Sequence, residues 1–112
     1  MRLEGAGACS YNVVDGCAAF RLEPWKAAEN LRKHRVSFEE AQTAFLDEEA
    51  LVIEDPDHSE TEDRFILLGV SGGLRVLFVC HCVRESGSLI RIISARRADR
   101  HEQEQYRERL RR

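Results

Sequence analysis

The chain has 112 residues, 43% of them hydrophobic and 33% charged, with a formal net charge of −3. That length supports one domain with a single modest core. No apolar run approaches the ~20 residues of a membrane span and no signal-peptide apolar segment opens the chain, so a soluble cytosolic protein is expected.

The overall charge conceals a division. Residues 47–63 carry nine acids (Asp47, Glu48, Glu49, Glu54, Asp55, Asp57, Glu60, Glu62, Asp63) and no Lys or Arg. Residues 64–97 carry six arginines (Arg64, Arg75, Arg84, Arg91, Arg96, Arg97) against one acid, Glu85, a local balance of +5. The acidic pI argues against a nucleic-acid partner, while the local distribution argues for one. Binding follows the local potential, so the distribution carries more weight. Of four cysteines, Cys9 and Cys17 lie far upstream of Cys80 and Cys82, with no zinc-like spacing. Cys80 and Cys82 fall on one strand face ~6.6 Å apart. Buried free thiols are the favoured reading over a disulfide, a metal site or a redox pair.

Residues 1–18 show no period, and Val13-Val14 is at most a marginal strand. Phe20-Arg21-Leu22 reads as a short strand. Pro24 suits a first helical turn, where its missing N–H costs nothing. The helix it opens runs through His34, with Ala27, Leu31 and His34 on one side. Ser37 and Glu40 make a capping box, with Val36 stapling against Ala41. Phe38, Ala41, Ala44 and Phe45 give this second helix its apolar stripe, which stops near Leu46-Asp47. Ala50–Glu54 reads as a strand, Asp55-Pro56-Asp57-His58 as a turn and Arg64–Val70 as a strand. Ser71-Gly72-Gly73 turns into a returning strand, Leu74–Val83, with Leu77, Val79 and His81 opposite Phe78, Cys80 and Cys82. Ser86-Gly87-Ser88 leads into Leu89–Ile93, a β-branched strand followed by Ser94-Ala95-Arg96-Arg97. A strict period of 2 puts Ile90, Ile92, Ser94 and Arg96 on one face, and Leu89, Arg91, Ile93 and Ala95 on the other. Asp99–Leu110 is helix-compatible but almost wholly charged, with only Tyr106 and Leu110 to dock, and reads as a frayed or partner-dependent helix. Helices, then a four-stranded antiparallel meander, then a polar tail make an α+β domain with N-terminal helices packed on a small antiparallel sheet.

Three stretches resemble one family. Lys26-x-x-x-Asn30-Leu31-x-Lys33-His34-x-Val36-Ser37-Phe38-Glu39-Glu40-Ala41 is similar to the opening motif of the BrnT toxins. Asp55-x-x-His58-Ser59-x-x-Glu62-x-Arg64 resembles their middle motif, and Arg91-Ile92-Ile93-Ser94-Ala95-Arg96 their closing one. The resemblance spans about residues 20–107, so residues 1–18 read as a poorly ordered N-terminal extension and 19–112 as the toxin-like domain. It implies a RelE-like fold with a C-terminal helix, ribonuclease toxicity and neutralisation by a DNA-binding BrnA antitoxin. Three departures stand out: Leu22 where the family has Trp, Trp25 where Ala is common, and Arg35 where Gly is usual. Arg35 puts a Cβ where a left-handed helix cap is expected, at a cost of about 1 kcal/mol.

Cleaving RNA without a metal uses the substrate's own 2′-hydroxyl as nucleophile. The protein must stabilise a dianionic phosphorane, take one proton and give another. Arg64, Arg84, Arg91 and Arg96 are the candidate phosphorane ligands, with Arg84 and Arg96 expected to clasp the phosphate together. A solvated residue or a salt bridge to the acidic segment is the plain alternative for each, and it wins for Arg75. His58 and Glu62 are the proton-transfer candidates. Lys26, Arg91 and Arg97 are candidates for binding the RNA strand. His34 suits a helix end and His81 a structural place. Asp55, Asp57 and His58 have only a generic spacing for a metal, so neither metal nor cofactor is expected. The expected partners are a BrnA-like antitoxin, in a hetero-oligomer, and RNA. The rival reading is a non-catalytic module whose arginines hold a partner's carboxylates or an RNA.

Overall fold

The computed structural model describes residues 19–55, 64–84 and 89–111. The elements are β1 (Ala19–Arg21), α1 (Pro24–His34), α2 (Phe38–Ala44), β2 (Leu51–Glu54), β3 (Arg64–Val70), β4 (Val76–Arg84), β5 (Leu89–Arg97) and α3 (Arg100–Leu110). The strands form one sheet in the order β1-β5-β4-β3-β2. The meander from β2 to β5 is antiparallel, as expected. The sheet as a whole is mixed, because β1 runs parallel to β5, from Ala19↔Leu89 to Arg21↔Arg91. A parallel neighbour needs a long crossover. Here the two helices and three strands between β1 and β5 supply it.

One sheet face carries the main core. Phe65 and Leu67 of β3, Leu77, Val79 and Val83 of β4, and Ile90, Ile92 and Ala95 of β5 pack under Val36, Phe38, Ala41, Ala44 and Phe45. The α2 stripe is therefore the one expected. Gly69 lets α2 come this close: a Cβ there would lie 2.8 Å from the carbonyl oxygen of Ala44. On the opposite face, Leu68, Val70, Val76 and Phe78 meet Ala98 and Tyr106 of the C-terminal segment.

Three local expectations are corrected. In α1 the buried residue is Asn30, while Leu31 and His34 are exposed. Asn30 behaves as a peptide group: its Nδ2 donates to the carbonyls of Ala95 (2.7 Å) and Val36 (2.9 Å), and its Oδ1 accepts from the Ala95 amide (3.0 Å). β1 pairs only as far as Arg91, and Asn30 satisfies polar groups further along β5 that would otherwise be buried unpaired. At α2, Ser37 Oγ accepts from the Glu40 amide at 2.9 Å. The Glu40 carboxylate does not return to Ser37. It takes Arg75 Nε (3.0 Å), Arg75 Nη2 and Ser71 Oγ (2.6 Å), since a guanidinium is the stronger partner. β4 begins at Val76, because Leu74 closes the turn with a positive φ of 64°.

The charged tail is a docked helix. Asp99 and Glu102 form a complete capping box. Tyr106 is buried and its hydroxyl donates to Asp47 Oδ2, which also accepts from the Val70 amide at 2.9 Å. Asp47, from the acidic segment, thus ties the α2–β2 loop to both β3 and α3. Leu110, the second expected anchor, stays exposed.

Candidate functional site

The register of β4 on β5 changes between Cys80 and His81. Cys80 faces Ser94 and His81 faces Ile92, so Ile93 is an extra residue in a β-bulge. The consequence reverses half of the strict alternation. Ile90, Ile92 and Ala95 share the core face, and Arg91, Ser94 and Arg96 share the other, opposite Cys82, Cys80 and Phe78. A regular strand would have sent Arg91 and Arg96 to opposite faces. The bulge puts them on one.

The same registers lay out a cross-strand row. Arg64 of β3 faces Cys82 of β4, Cys82 faces Arg91 of β5, and Arg91 faces Arg21 of β1. Three guanidinium-bearing residues thus line up over three strand spacings, about 14 Å. Arg84 shares this face ~6.6 Å further along β4 and is exposed at the strand end. Arg21 is a member that sequence reasoning missed. The alternation of Phe20-Arg21-Leu22 puts it on the polar side, but only the parallel pairing brings it beside Arg91.

Each candidate has a distinct environment. Arg91 is half-buried, with Nε 3.3 Å and Nη2 3.1 Å from Glu23 Oε1. Arg64 points Nη2 at Cys80 Sγ (3.8 Å), while its Nε is buried without a hydrogen-bond partner among the described residues. Cys80 Sγ also approaches the buried Asp55 carboxylate at 3.7 Å, and desolvation pushes its pKa up, so it is a thiol. Cys80 and Cys82 are both buried thiols outside any disulfide, as expected.

Arg96 sits elsewhere. Its Nη1 and Nη2 lie 2.9 Å from the two oxygens of Glu102, and its guanidinium stacks 3.9 Å from the centre of the Phe78 ring. Phe78 and Arg84 are six residues apart on one strand, roughly 20 Å. Arg84 and Arg96 therefore do not meet over one phosphate, and that expected clasp is corrected. Arg75 is held by a salt bridge to Glu40 of α2, not to the acidic segment. Arg97 is exposed at the end of β5, and Lys26 lies 4.8 Å from the Trp25 ring centre on α1. His58, Glu62 and Asp57 lie outside the described residues. Among the described residues no cluster of His, Cys, Asp and Glu is arranged to hold a metal.

Guanidiniums fixed in register on one face of a small α+β domain have the geometry and charge to take phosphates or carboxylates. A family model described as the ribonuclease toxin, BrnT, of type II toxin–antitoxin systems matches residues 23–102, and the chain belongs to that family. It is accordingly a type II toxin with ribonuclease activity, with RNA as its target and an antitoxin protein as its partner. No curated protein matches the chain. No helix among the described residues is long and apolar enough to cross a membrane.

Proposed function

We propose that the chain is a metal-independent endoribonuclease acting in the cytoplasm, and that the row Arg64–Arg91–Arg21 with Arg84 beside it is its phosphate site. The observation that carries this reading is the register of β3, β4, β5 and β1, which aligns Arg91 with Arg64 and Arg21 on one face. In the reaction the RNA 2′-oxygen attacks the adjacent phosphorus while a base removes its proton. The 5′-oxygen leaves with a proton from an acid, and a 2′,3′-cyclic phosphate results. Guanidiniums held by strands are already in place when charge grows on the phosphorane oxygens, so no reorganisation opposes them. His58 and Glu62 remain the proposed proton carriers, with Lys26 and Arg97 on the flanking RNA strand. Arg96, already bidentate on Glu102, supports α3 rather than the phosphate.

The Glu23 carboxylate on Arg91 is the pattern we propose for silencing the site: an acidic segment of the antitoxin takes the same guanidinium. We assign that role to a BrnA-like, DNA-binding partner. The test is cleavage of purified RNA in EDTA. Activity should persist and yield cyclic phosphate ends. Arg84→Ala and Arg91→Ala should each lose on the order of 10²-fold or more in rate with circular dichroism unchanged. Arg84→Lys should rescue poorly, since an ammonium cannot reproduce the fork. Arg111→Ala, at the far end of α3, is the control. Loss of activity on chelation, restored by one divalent ion, would overturn the metal-free mechanism.

A further inference from the structure

Trp25 is 67% exposed on the first turn of α1, although a surface tryptophan that packs against nothing gains nothing for the fold. It borders a cleft of about 170 Å³ shared with Lys26, Lys33 and His34 on α1 and with Ile93 and Ser94 of the bulge. That volume exceeds the ~150 Å³ cavity that accepts a benzene ring. The Lys26 ammonium stands 4.8 Å from the Trp25 ring centre and has no carboxylate partner among the described residues. Across the cleft, Lys33 shares a single carboxylate, Glu29, with Arg32 (3.3 and 2.9 Å), so the rim keeps a positive balance. An exposed aromatic ring beside ammonium groups is the arrangement that binds single-stranded nucleic acid: the ring stacks a base and the cations take its phosphates.

The cleft is also continuous with the arginine row. Glu23, which grips Arg91, is two residues before Trp25, and Ile93–Ser94 follow Arg91 by roughly 7–10 Å along β5. A strand whose phosphate lies at Arg91 passes round the β5 edge, beyond the end of β1, directly to Trp25. We propose that Trp25, Lys26 and Lys33 over the Ile93–Ser94 bulge form a base-stacking subsite for the RNA strand flanking the scissile phosphate. The proposal rests on the ribonuclease reading for the identity of its ligand. Its chemistry recognises any unpaired nucleotide and favours no particular base.

Trp25 is the chain's one tryptophan, so its emission reports this site alone. The probe is a short single-stranded oligoribonucleotide with every 2′-hydroxyl methylated, which binds without being cut. Titrating it into the full chain should quench Trp25 saturably. Trp25→Ala should weaken binding of the same oligonucleotide, fluorescein-labelled, by about tenfold, and Trp25→Phe by less. Replacing Lys26 and Lys33 by Ala should lower the slope of log K against log salt by about 0.7 for each phosphate that the protein no longer neutralises. With unmodified RNA, Trp25→Ala should raise KM and leave kcat unchanged. Binding without quenching, or equal affinity in Trp25→Ala, overturns the subsite. So does quenching by the purified antitoxin with none by the oligonucleotide, which would make the cleft a protein-docking surface. Cleavage by the wild-type chain is measured in parallel: cleavage with an indifferent Trp25 sinks only the subsite, whereas quenching without cleavage sinks only the ribonuclease reading.

Discussion

His81 is wholly buried on the core side of β4, with ring centroids 4.9 Å from Phe45 and 6.1 Å from Phe65. Desolvation lowers its pKa to about 4. A histidine kept neutral by the fold binds fewer protons than the unfolded chain between pH 4 and 6.5, so stability rises with pH in that window and is lost as pH falls through it. From pH 7.5 to pH 5 the loss from this residue alone should be about 2 kcal/mol. His81→Leu should flatten the urea midpoint over that range, and an unchanged slope would mean that another group titrates. Arg35 is the residue that ends α1, with φ 60° and its amide bonded to Leu31 O at 2.9 Å. The Cβ strain expected there is present. Arg35→Gly should stabilise by about 1 kcal/mol, raising Tm by roughly 4–8 °C. A drop in Tm instead would show that the Arg35 side chain contributes more than its backbone costs.

Among the elements, α3 shows how little apolar surface a helix needs when polar contacts are well placed. Its sequence is nearly all charged, yet the Asp99–Glu102 box, the Tyr106 hydroxyl on Asp47 and the bidentate Arg96–Glu102 pair fix it to the second sheet face. Burial and the Asp47 carboxylate together push the Tyr106 phenol far above its ordinary pKa, so that contact holds across the physiological range. If Arg96 is a strut, a double-mutant cycle of Arg96→Ala with Glu102→Ala should give a coupling of about 1 kcal/mol, the modest value suited to a half-exposed pair. Both single variants should then cleave RNA alike. Equal stability losses with cleavage gone only in Arg96→Ala would place that guanidinium on the RNA. α2 makes the complementary point: its apolar stripe is buried as its spacing required, while its Glu40 is drawn off to Arg75.

At the scale of the molecule, a net charge of −3 coexists with a basic sheet face. Its arginines are concentrated where the strands hold them, and several carboxylates are consumed internally by Arg75, Arg91 and Arg96. The family match starts at residue 23, and β1 opens at Ala19. We therefore expect that deleting Met1–Ala18 leaves a folded, RNA-cleaving domain. A Tm lower by more than about 8 °C, or loss of cleavage, would show that those residues belong to the toxin domain.

The α+β class, both N-terminal helices, the β3–β4 hairpin and the capping serine were legible from residue order, while the strained Arg35 was expected from the family resemblance. Each of the former depends on contacts within one turn or between adjacent segments, where propensity and period act directly. The Asn30 bridge, the parallel seat of β1 and the docked α3 were not, because their partners lie 59 to 70 residues away. The bulge is the sharpest case. Ile93 is as good a strand residue as Ile92, and nothing in the run says which apolar side chain is skipped. The core decides it: His81 and Val79 of β4 take Ile92 and Ala95 as their neighbours, and the residues left over turn Arg91, Ser94 and Arg96 onto one face. That arginines are concentrated in the strand-forming half of the chain was written in its sequence; which of them stand together was settled only when β5 met β4 and β1.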